Sequence, residues 1–156
     1  MKQKPRQLLL CIAIPLAVGG ISAWLTQGSM DTFEALNKPP LSPPGWLFPV
    51  VWTILFVLMG AASYLVLRSA QPQQTIHRAL RLYGIQLGVN FFWSIFFFNL
   101  SLYLFSFVWL ILLWFLIAAT TVRFCRISQT AGYLMLPYLL WVTFAGYLNW
   151  GIYQLN

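Results

Sequence analysis

Five long apolar stretches alternate with short polar connections along the chain. Each stretch is close to the roughly 20 residues that a helix needs to cross a hydrocarbon core about 30 Å thick. The pattern therefore predicts an all-α membrane protein, a five-transmembrane-helix bundle that forms one integral membrane domain over residues 1–156. The predicted spans are residues 8–27, 46–67, 79–99, 102–124 and 131–153.

The composition excludes the other broad classes of protein. Hydrophobic residues make up 60% of the 156 residues and charged residues only 7%. A soluble domain carries about a quarter charged residues, and so few charges cannot cover a surface that faces water. The net charge of +7 accordingly indicates orientation in a membrane and not nucleic-acid binding.

Basic residues fall on one side of the five-span arrangement. Eight of the nine Lys and Arg residues precede the first span or lie at the second and fourth connections. Because cytoplasmic loops carry an excess of Lys and Arg, we expect a cytoplasmic N-terminus. The C-terminus and the first connection then lie on the opposite side. The eight residues are Lys2, Lys4, Arg6, Arg68, Arg78, Arg81, Arg123 and Arg126.

The first connection, residues 28–45, is the longest and the only one with charges of both signs. Asp31 can cap a short helix with Glu34 at the capping-box position, and Glu34 and Lys38 have the i, i+4 spacing of a helical ion pair. Prolines then end that helix. The connection is either a solvated loop or a semi-rigid lid over a cavity. The candidate lid residues are Asp31, Glu34, Lys38, Pro43 and Pro44.

The predicted spans hold no ionisable Asp, Glu, Lys, Arg or His in their interiors. Coupled pumps and cation channels depend on such residues. The single histidine, His77, lies in the second connection, away from any nucleophile or metal ligand at membrane depth. We therefore expect no hydrolase site, no metal site, no proton relay and no required cofactor.

Aromatic and amide side chains instead recur at helical spacing on three spans. Phe48 and Trp52 share a stripe on the second span, and Asn90 and Trp93 share one on the third. A similar stripe passes through Trp141 on the fifth. These residues either pack helix against helix or line a flat, apolar pocket. The candidate pocket residues are Phe48, Trp52, Asn90, Trp93, Trp141, Phe144, Ala145, Leu148 and Asn149.

Gly84 and Gly88 form a Gly-xxx-Gly pair on the third span. Small residues at this spacing let two helices approach closely within a membrane. The close contact lies either inside the bundle or between two copies of the chain, and the pattern does not distinguish these alternatives.

Ordered blocks of residues over most of the chain resemble the translocator protein family, also called peripheral-type benzodiazepine receptors or tryptophan-rich sensory proteins. On these blocks the sequence is identified as a bacterial-type member. The blocks are Leu36-x-Lys38-Pro39, Pro43-Pro44-x-Trp46, Val51-Trp52, Met59-Gly60, Gln86-Leu87-x-x-Asn90-x-x-Trp93-Ser94, Phe97-Phe98 and Pro137-Tyr138-Leu139-x-Trp141-x-x-Phe144-Ala145-x-x-Leu148-Asn149.

This resemblance implies a membrane receptor or sensor that binds porphyrins, such as protoporphyrin IX or a heme-type porphyrin, and also sterols and isoquinoline-carboxamide ligands. It implies a cavity beneath the first connection and a homodimer, which we place in the bacterial inner membrane. The family is associated with light-dependent porphyrin degradation, and its two important tryptophans correspond to Trp52 and Trp141. The alternatives are a slow photo-oxidative enzyme and a transporter of sterols, lipids or tetrapyrroles.

Overall fold

Helices account for most of the described chain, residues 4–156, in the computed structural model, and no strand occurs in that range. A 3-10 turn, Gln27–Ser29, joins the first two helices, and a π-helical turn, Ile95–Asn99, extends the fourth. Lys2 and the side chain of Lys4, which contribute to the predicted orientation, lie outside the described part. The helices are α1 (Lys4–Thr26), α2 (Met30–Glu34), α3 (Leu47–Leu67), α4 (Gln73–Ser94), α5 (Tyr103–Ile127) and α6 (Gln129–Leu155).

Several helices extend beyond the apolar stretches that predicted them; α1, for example, begins at Lys4, not near residue 8. α4 begins at Gln73, not near residue 79, and α5 ends at Ile127, not near residue 124. The added turns carry polar and basic side chains, which a hydropathy pattern assigns to a connection. A helix that leaves the hydrocarbon keeps its backbone hydrogen bonds in water, so the apolar pattern marks only the part at membrane depth.

Four described helical segments are long and apolar enough to cross a membrane: Pro5–Glu34, Leu47–Leu67, Tyr103–Ile127 and Gln129–Leu155. α4 falls short by the same measure because it starts with polar turns and carries Gln86 and Asn90 in its second half. Both amides are buried against other helices and do not face outward. The structure is therefore an all-helical bundle with four clear membrane spans and a fifth long helix of lower hydropathy.

The five long helices form a ring in the order α1, α3, α6, α5 and α4, and α4 returns to touch α1. Large apolar side chains cover the outer surface; Leu140 on α6 is 70% exposed and Phe115 on α5 is 62% exposed. Polar residues such as Asn149 are instead fully buried. This outward apolar surface with an inward polar minority is typical of a helical bundle surrounded by lipid.

The two ends of the ring pack differently. One end of the ring, where α1 finishes and α3 begins, is called the lid end. The opposite end is called the far end. Towards the far end, a side chain at Gly60 on α3 would collide with the α1 backbone at Cys11 and Ile12. A side chain at Gly132 on α6 would collide with Cys125 on α5. These glycines let neighbouring backbones touch.

The short helix α2 does not begin as the sequence predicts. Ser29 occupies the N-cap position without a side-chain hydrogen bond, and Asp31 lies within the first turn. The prediction that Asp31 is the cap is wrong because the chain enters α2 directly from the preceding 3-10 turn. The Met30 N–H donates to Gln27 O in that turn, so this helix start has less need of a side-chain cap.

Gly84 and Gly88 both lie exposed on α4, and a side chain at either position would meet no atom within 4 Å in the described chain. Within one copy the pair therefore makes no close helix contact. The alternative that these glycines pack inside the bundle does not hold for residues 4–156.

Candidate ligand-binding cavity

A cavity of about 260 Å³ lies at the lid end, enclosed by α1, the lid, α3, α4, the π-helical turn and α6. Eight of the nine candidate pocket residues line it, and Lys38 and Pro43 line it from the lid. Stripes that lie on different helices in the sequence therefore meet around one space. The eight residues are Phe48, Trp52, Asn90, Trp93, Trp141, Ala145, Leu148 and Asn149.

The remaining predicted residues lie away from this space. Phe144 stands behind the wall, where its ring packs against Trp141 with centroids 5.6 Å apart. Asp31, Glu34 and Pro44 are exposed on the lid and do not line the cavity. Phe144 therefore supports the indole of Trp141 from behind and does not itself line the cavity.

The aromatic wall is formed where α3 faces α6. The rings of Trp52 and Trp141 are perpendicular, with centroids 6.5 Å apart. Phe48 packs edge-on against Trp141 at 5.9 Å, and Phe56 stacks on Trp52 at 5.5 Å. The Trp141 Nε1–H is buried and has no hydrogen-bond partner among residues 4–156.

A chain of neutral hydrogen bonds leads from one side of the cavity into the bundle. The Asn90 amide donates from Nδ2 to the Tyr138 hydroxyl at 2.6 Å, and that hydroxyl donates to Gln86 Oε1 at 2.7 Å. All three residues are buried. Buried polar groups need partners, so these bonds fix the orientation of the Asn90 amide where it meets the cavity.

Asn149 organises a second polar group. Its Oδ1 accepts from Trp93 Nε1 at 3.1 Å and from the Ser106 hydroxyl at 3.2 Å. Its Nδ2 donates to the carbonyl oxygen of Tyr103 at 2.9 Å. Asn149 thereby ties α6 to α4 and α5 and holds the Trp93 indole, which stacks on Phe97 at 5.2 Å.

Several cavity residues had no clear signal in the sequence. Gly19 and Ser22 form a wall on α1, but α1 is apolar almost throughout, so no stripe marks its inner face. Phe33 is the buried aromatic ring of the lid and packs on Phe48 at 5.9 Å. Tyr138 does not line the cavity but bonds to Asn90, which does, and it precedes Trp141 by three residues, so extending the α6 stripe by one turn would have found it.

The second half of the lid is attached to α6. The Tyr147 hydroxyl donates to Pro40 O at 2.7 Å. Asn156 donates from Nδ2 to Asn37 O at 2.8 Å, and its Oδ1 accepts from the Asn37 N–H at 3.2 Å. The close approach of Pro39 to the Gly151 backbone completes the contact. This half of the lid is therefore an anchored roof.

The cavity has a mouth on one side. Of the described lining residues, only three are exposed: Ala23 on α1, Gln27 just after α1, and Pro49 on α3. The opening therefore lies between the lid ends of α1 and α3. A ligand from the hydrocarbon or its interface would meet this opening beneath the anchored roof.

Comparison with known proteins decides the family. The model of the TspO/MBR family matches residues 11–155 of this chain. The chain belongs to the TspO/MBR family. Together with its apolar helices, this membership makes it an integral membrane protein. The family predicted from the sequence blocks is confirmed.

Named relatives of the TspO/MBR family align along most of the chain. The tryptophan-rich protein TspO of Chlorobaculum tepidum is 41% identical over 157 residues, which cover 100% of this chain and 99% of that protein. The tryptophan-rich sensory protein of Cereibacter sphaeroides is 36% identical over 126 residues, covering 81% and 77%. The translocator protein of Bos taurus is 33% identical over 147 residues, covering 92% and 86%.

Proposed function

We propose that this protein is a five-span membrane receptor that binds porphyrins, with protoporphyrin IX as the representative ligand, in the lid-end cavity. The observation that carries the proposal is the convergence of Trp52, Trp93 and Trp141 on one space beneath an anchored lid. Aromatic faces bury large flat apolar ligands well, and a few fixed polar groups orient them. Asn90, whose amide is held by Tyr138, is such a group.

The size of the cavity bears on how a porphyrin fits. Its volume of about 260 Å³ lies just below the roughly 300–1,000 Å³ of small-molecule pockets. We therefore expect the walls to move apart when a tetrapyrrole binds. The side that holds the mouth is the natural place for this movement, because the lid is tied to α6 by Tyr147 and Asn156.

The binding experiment is a titration of the purified protein with protoporphyrin IX, followed by quenching of tryptophan fluorescence. Because three indoles line the cavity, we expect saturable quenching with one site per chain. An isoquinoline-carboxamide ligand should compete for the site and reverse the quenching. Quenching that rises linearly with porphyrin, without saturation or competition, would contradict the proposal.

The proposal includes α4 as the fifth span. Its amides Gln86 and Asn90 turn inward and pair with Tyr138, which removes much of their cost at membrane depth. With five spans, the basic residues gather on the cytoplasmic side and the lid faces the opposite side of the inner membrane. Reporter fusions at Asn156 and within residues 70–77 test this, and a cytoplasmic reporter active at Asn156 would contradict it.

Light-dependent porphyrin degradation is a second candidate activity of the same cavity. The contact between Trp52 and Trp141, with centroids 6.5 Å apart, favours it because a porphyrin in this space would touch both indoles. An excited porphyrin and dioxygen supply the oxidising chemistry, and the indoles donate electrons or intercept reactive oxygen. Loss of the porphyrin absorption band under light, with a product that requires the protein, is the expected result. If the porphyrin remains unchanged under light, the protein binds porphyrin but does not degrade it.

The proposal keeps the homodimer expected from the sequence. The open face of α4 at Gly84 and Gly88 supports it, since small exposed residues let a second helix approach in the membrane. Mass measurement of the protein in detergent, with Gly88→Leu as the variant, tests the interface. A variant that stays dimeric would exclude this face.

A further inference from the structure

Among the side chains that the structure describes, Lys38 is the one charged group that lines the cavity. It enters from the lid and is half-buried, whereas the acids of the lid, Asp31 and Glu34, are exposed and lie outside the lining. A single positive charge therefore marks the lid side of a space whose other walls are mostly aromatic and aliphatic.

The ammonium group of Lys38 has no carboxylate partner within residues 4–156. Its Nζ donates to Glu34 O at 3.0 Å and to Leu36 O at 3.4 Å, and it lies 4.9 Å from the centroid of the Phe33 ring. The Glu34 carboxylate points instead towards Gly45. The i, i+4 spacing that suggested an ion pair thus produces a bond to the backbone of Glu34.

The contacts leave this cation incompletely satisfied. An ammonium group has three N–H donors, and the two carbonyl oxygens use two of them. Carbonyl oxygens and an aromatic face stabilise a cation, but they do not neutralise it. A half-buried charge beside apolar rings gains most from an opposite charge, because solvent screens the attraction less there.

We propose that Lys38 is the anion-binding group of this cavity and that its ligand carries a carboxylate at the lid while its flat apolar body lies against Trp52 and Trp141. This inference rests on the proposed porphyrin binding and specifies the ligand class as anionic tetrapyrroles. Porphyrins with free propionate groups meet this requirement. Their esters have the same ring system without the charge.

Lys38 also has a structural role that the test must separate. Glu34 is the last residue of α2, so the bond from Nζ to Glu34 O helps to hold the end of that helix. Losing this bond would weaken the binding of acid and ester forms alike. Losing the charge would weaken only the acid form. The ratio of the two affinities therefore reports the charge.

The experiment compares protoporphyrin IX with its dimethyl ester, in the same detergent, for four proteins. We expect the parent to prefer the acid by about tenfold or more, and Lys38→Arg to keep that preference. Lys38→Gln should reduce it to about the value set by detergent partitioning alone. Arg81→Gln, which removes an exposed charge outside the cavity, is the matched control and should behave like the parent.

The outcomes separate this inference from the proposed function. If Lys38→Gln retains the parent ratio, or weakens both ligands equally, Lys38 does not bind the carboxylate, although the cavity still binds porphyrins. If neither ligand binds the parent saturably, the proposed function itself fails. If Lys38→Gln does not fold, the inference is tested by the salt dependence of porphyrin binding to the parent protein. If high salt weakens the binding of the acid form alone, the inference is supported; if it weakens the binding of acid and ester equally, the inference is overturned.

Discussion

Towards the far end, Gly60 and Gly132 bring helix backbones into contact, whereas at the lid end Trp52, Trp93 and Trp141 line a cavity that α1, α3, α4 and α6 enclose. Both ends use the same five helices in the same ring. The difference comes from side-chain size at the helix interfaces. Small residues give contact without a void, and large rings meeting from several directions leave a space that a flat ligand can fill.

This comparison assigns different roles to the two ends. Substitutions at the far end should act mainly on folding, because they disturb backbone contacts and no ligand. Substitutions at the lid end should act mainly on ligand binding, because the side chains there surround a cavity. The buried Asn90–Tyr138–Gln86 chain lies between the two and should show both effects.

The largest effect on stability is expected at Gly60. In Gly60→Leu the new side chain meets the α1 backbone at Cys11 and Ile12, which cannot move aside as a side chain can. We expect destabilisation at the upper end of the about 1–3 kcal/mol typical of overpacking, measured as a lower midpoint of thermal unfolding in detergent. Gly20→Leu is the control, because Gly20 is exposed and has open space around it. A parent-like Gly60→Leu would contradict the close packing of the far end.

The indoles of the lid end should affect chemistry more than affinity. Phe at position 52 or 141 keeps an apolar ring but removes the N–H and the easily oxidised indole. We expect Trp52→Phe and Trp141→Phe to keep porphyrin affinity within about tenfold, or about 1.4 kcal/mol. Their light-driven loss of the porphyrin band should fall much further. Trp24→Phe changes an exposed ring outside the cavity and should match the parent in both measurements. Equal rates of porphyrin degradation in all three variants and the parent would show that Trp52 and Trp141 take no part in that reaction.

Asn90 tests the region between the two ends. In Asn90→Leu the Tyr138 hydroxyl loses its donor but still donates to Gln86, so we expect a stability loss of only about 1 kcal/mol. Porphyrin affinity should change by a larger free energy, since the amide also lines the cavity. Unfolding and fluorescence titration of the same sample make the comparison. A loss of stability with unchanged affinity would identify Asn90 as a packing residue.

The smallest effect is expected at the roof. Tyr147→Phe removes the hydrogen bond to Pro40 but leaves the contact of Asn156 with Asn37. One exposed neutral hydrogen bond contributes about 0.5–1.5 kcal/mol, so ligand dissociation should accelerate only a few-fold in stopped-flow displacement. Tyr133→Phe, an exposed tyrosine near the far end of α6, is the control. An unchanged rate in Tyr147→Phe would mean that this bond does not hold the roof closed.

How far the sequence predicts this molecule depends on the kind of information each feature needs. Long apolar stretches mark α3, α5 and α6, and the stripes through Trp52, Asn90 and Trp141 predict inner faces, because spacing along one helix is local. Which of these stripes face one another depends on how the helices are arranged in the bundle, and spacing along one helix does not give that information. That Asn90 pairs with Tyr138, a residue on another helix 48 positions away, follows only from the ring order.

Two features of the lid and α1 show what local patterns miss. Glu34 and Lys38 have the spacing of an ion pair, but α2 ends at Glu34, so Lys38 lies beyond the helix and turns to the backbone and the cavity. Ser22 lines the cavity from a helix that is apolar all round, where no periodicity distinguishes the inner face from the lipid face.

The most direct test of a porphyrin site at the lid end is to fill the cavity from its α1 wall, which carries none of the three lining tryptophans. Ser22 lines the cavity on α1 and is 8% exposed, while Gly20 on the same helix lies exposed with open space around it. Protoporphyrin IX is titrated into the parent, Ser22→Phe and Gly20→Phe, with tryptophan quenching as the signal. We predict saturable binding with equal affinity for the parent and Gly20→Phe, and at least about tenfold weaker binding for Ser22→Phe. Equal affinity in all three proteins would contradict the account, because porphyrin would then bind elsewhere on the molecule.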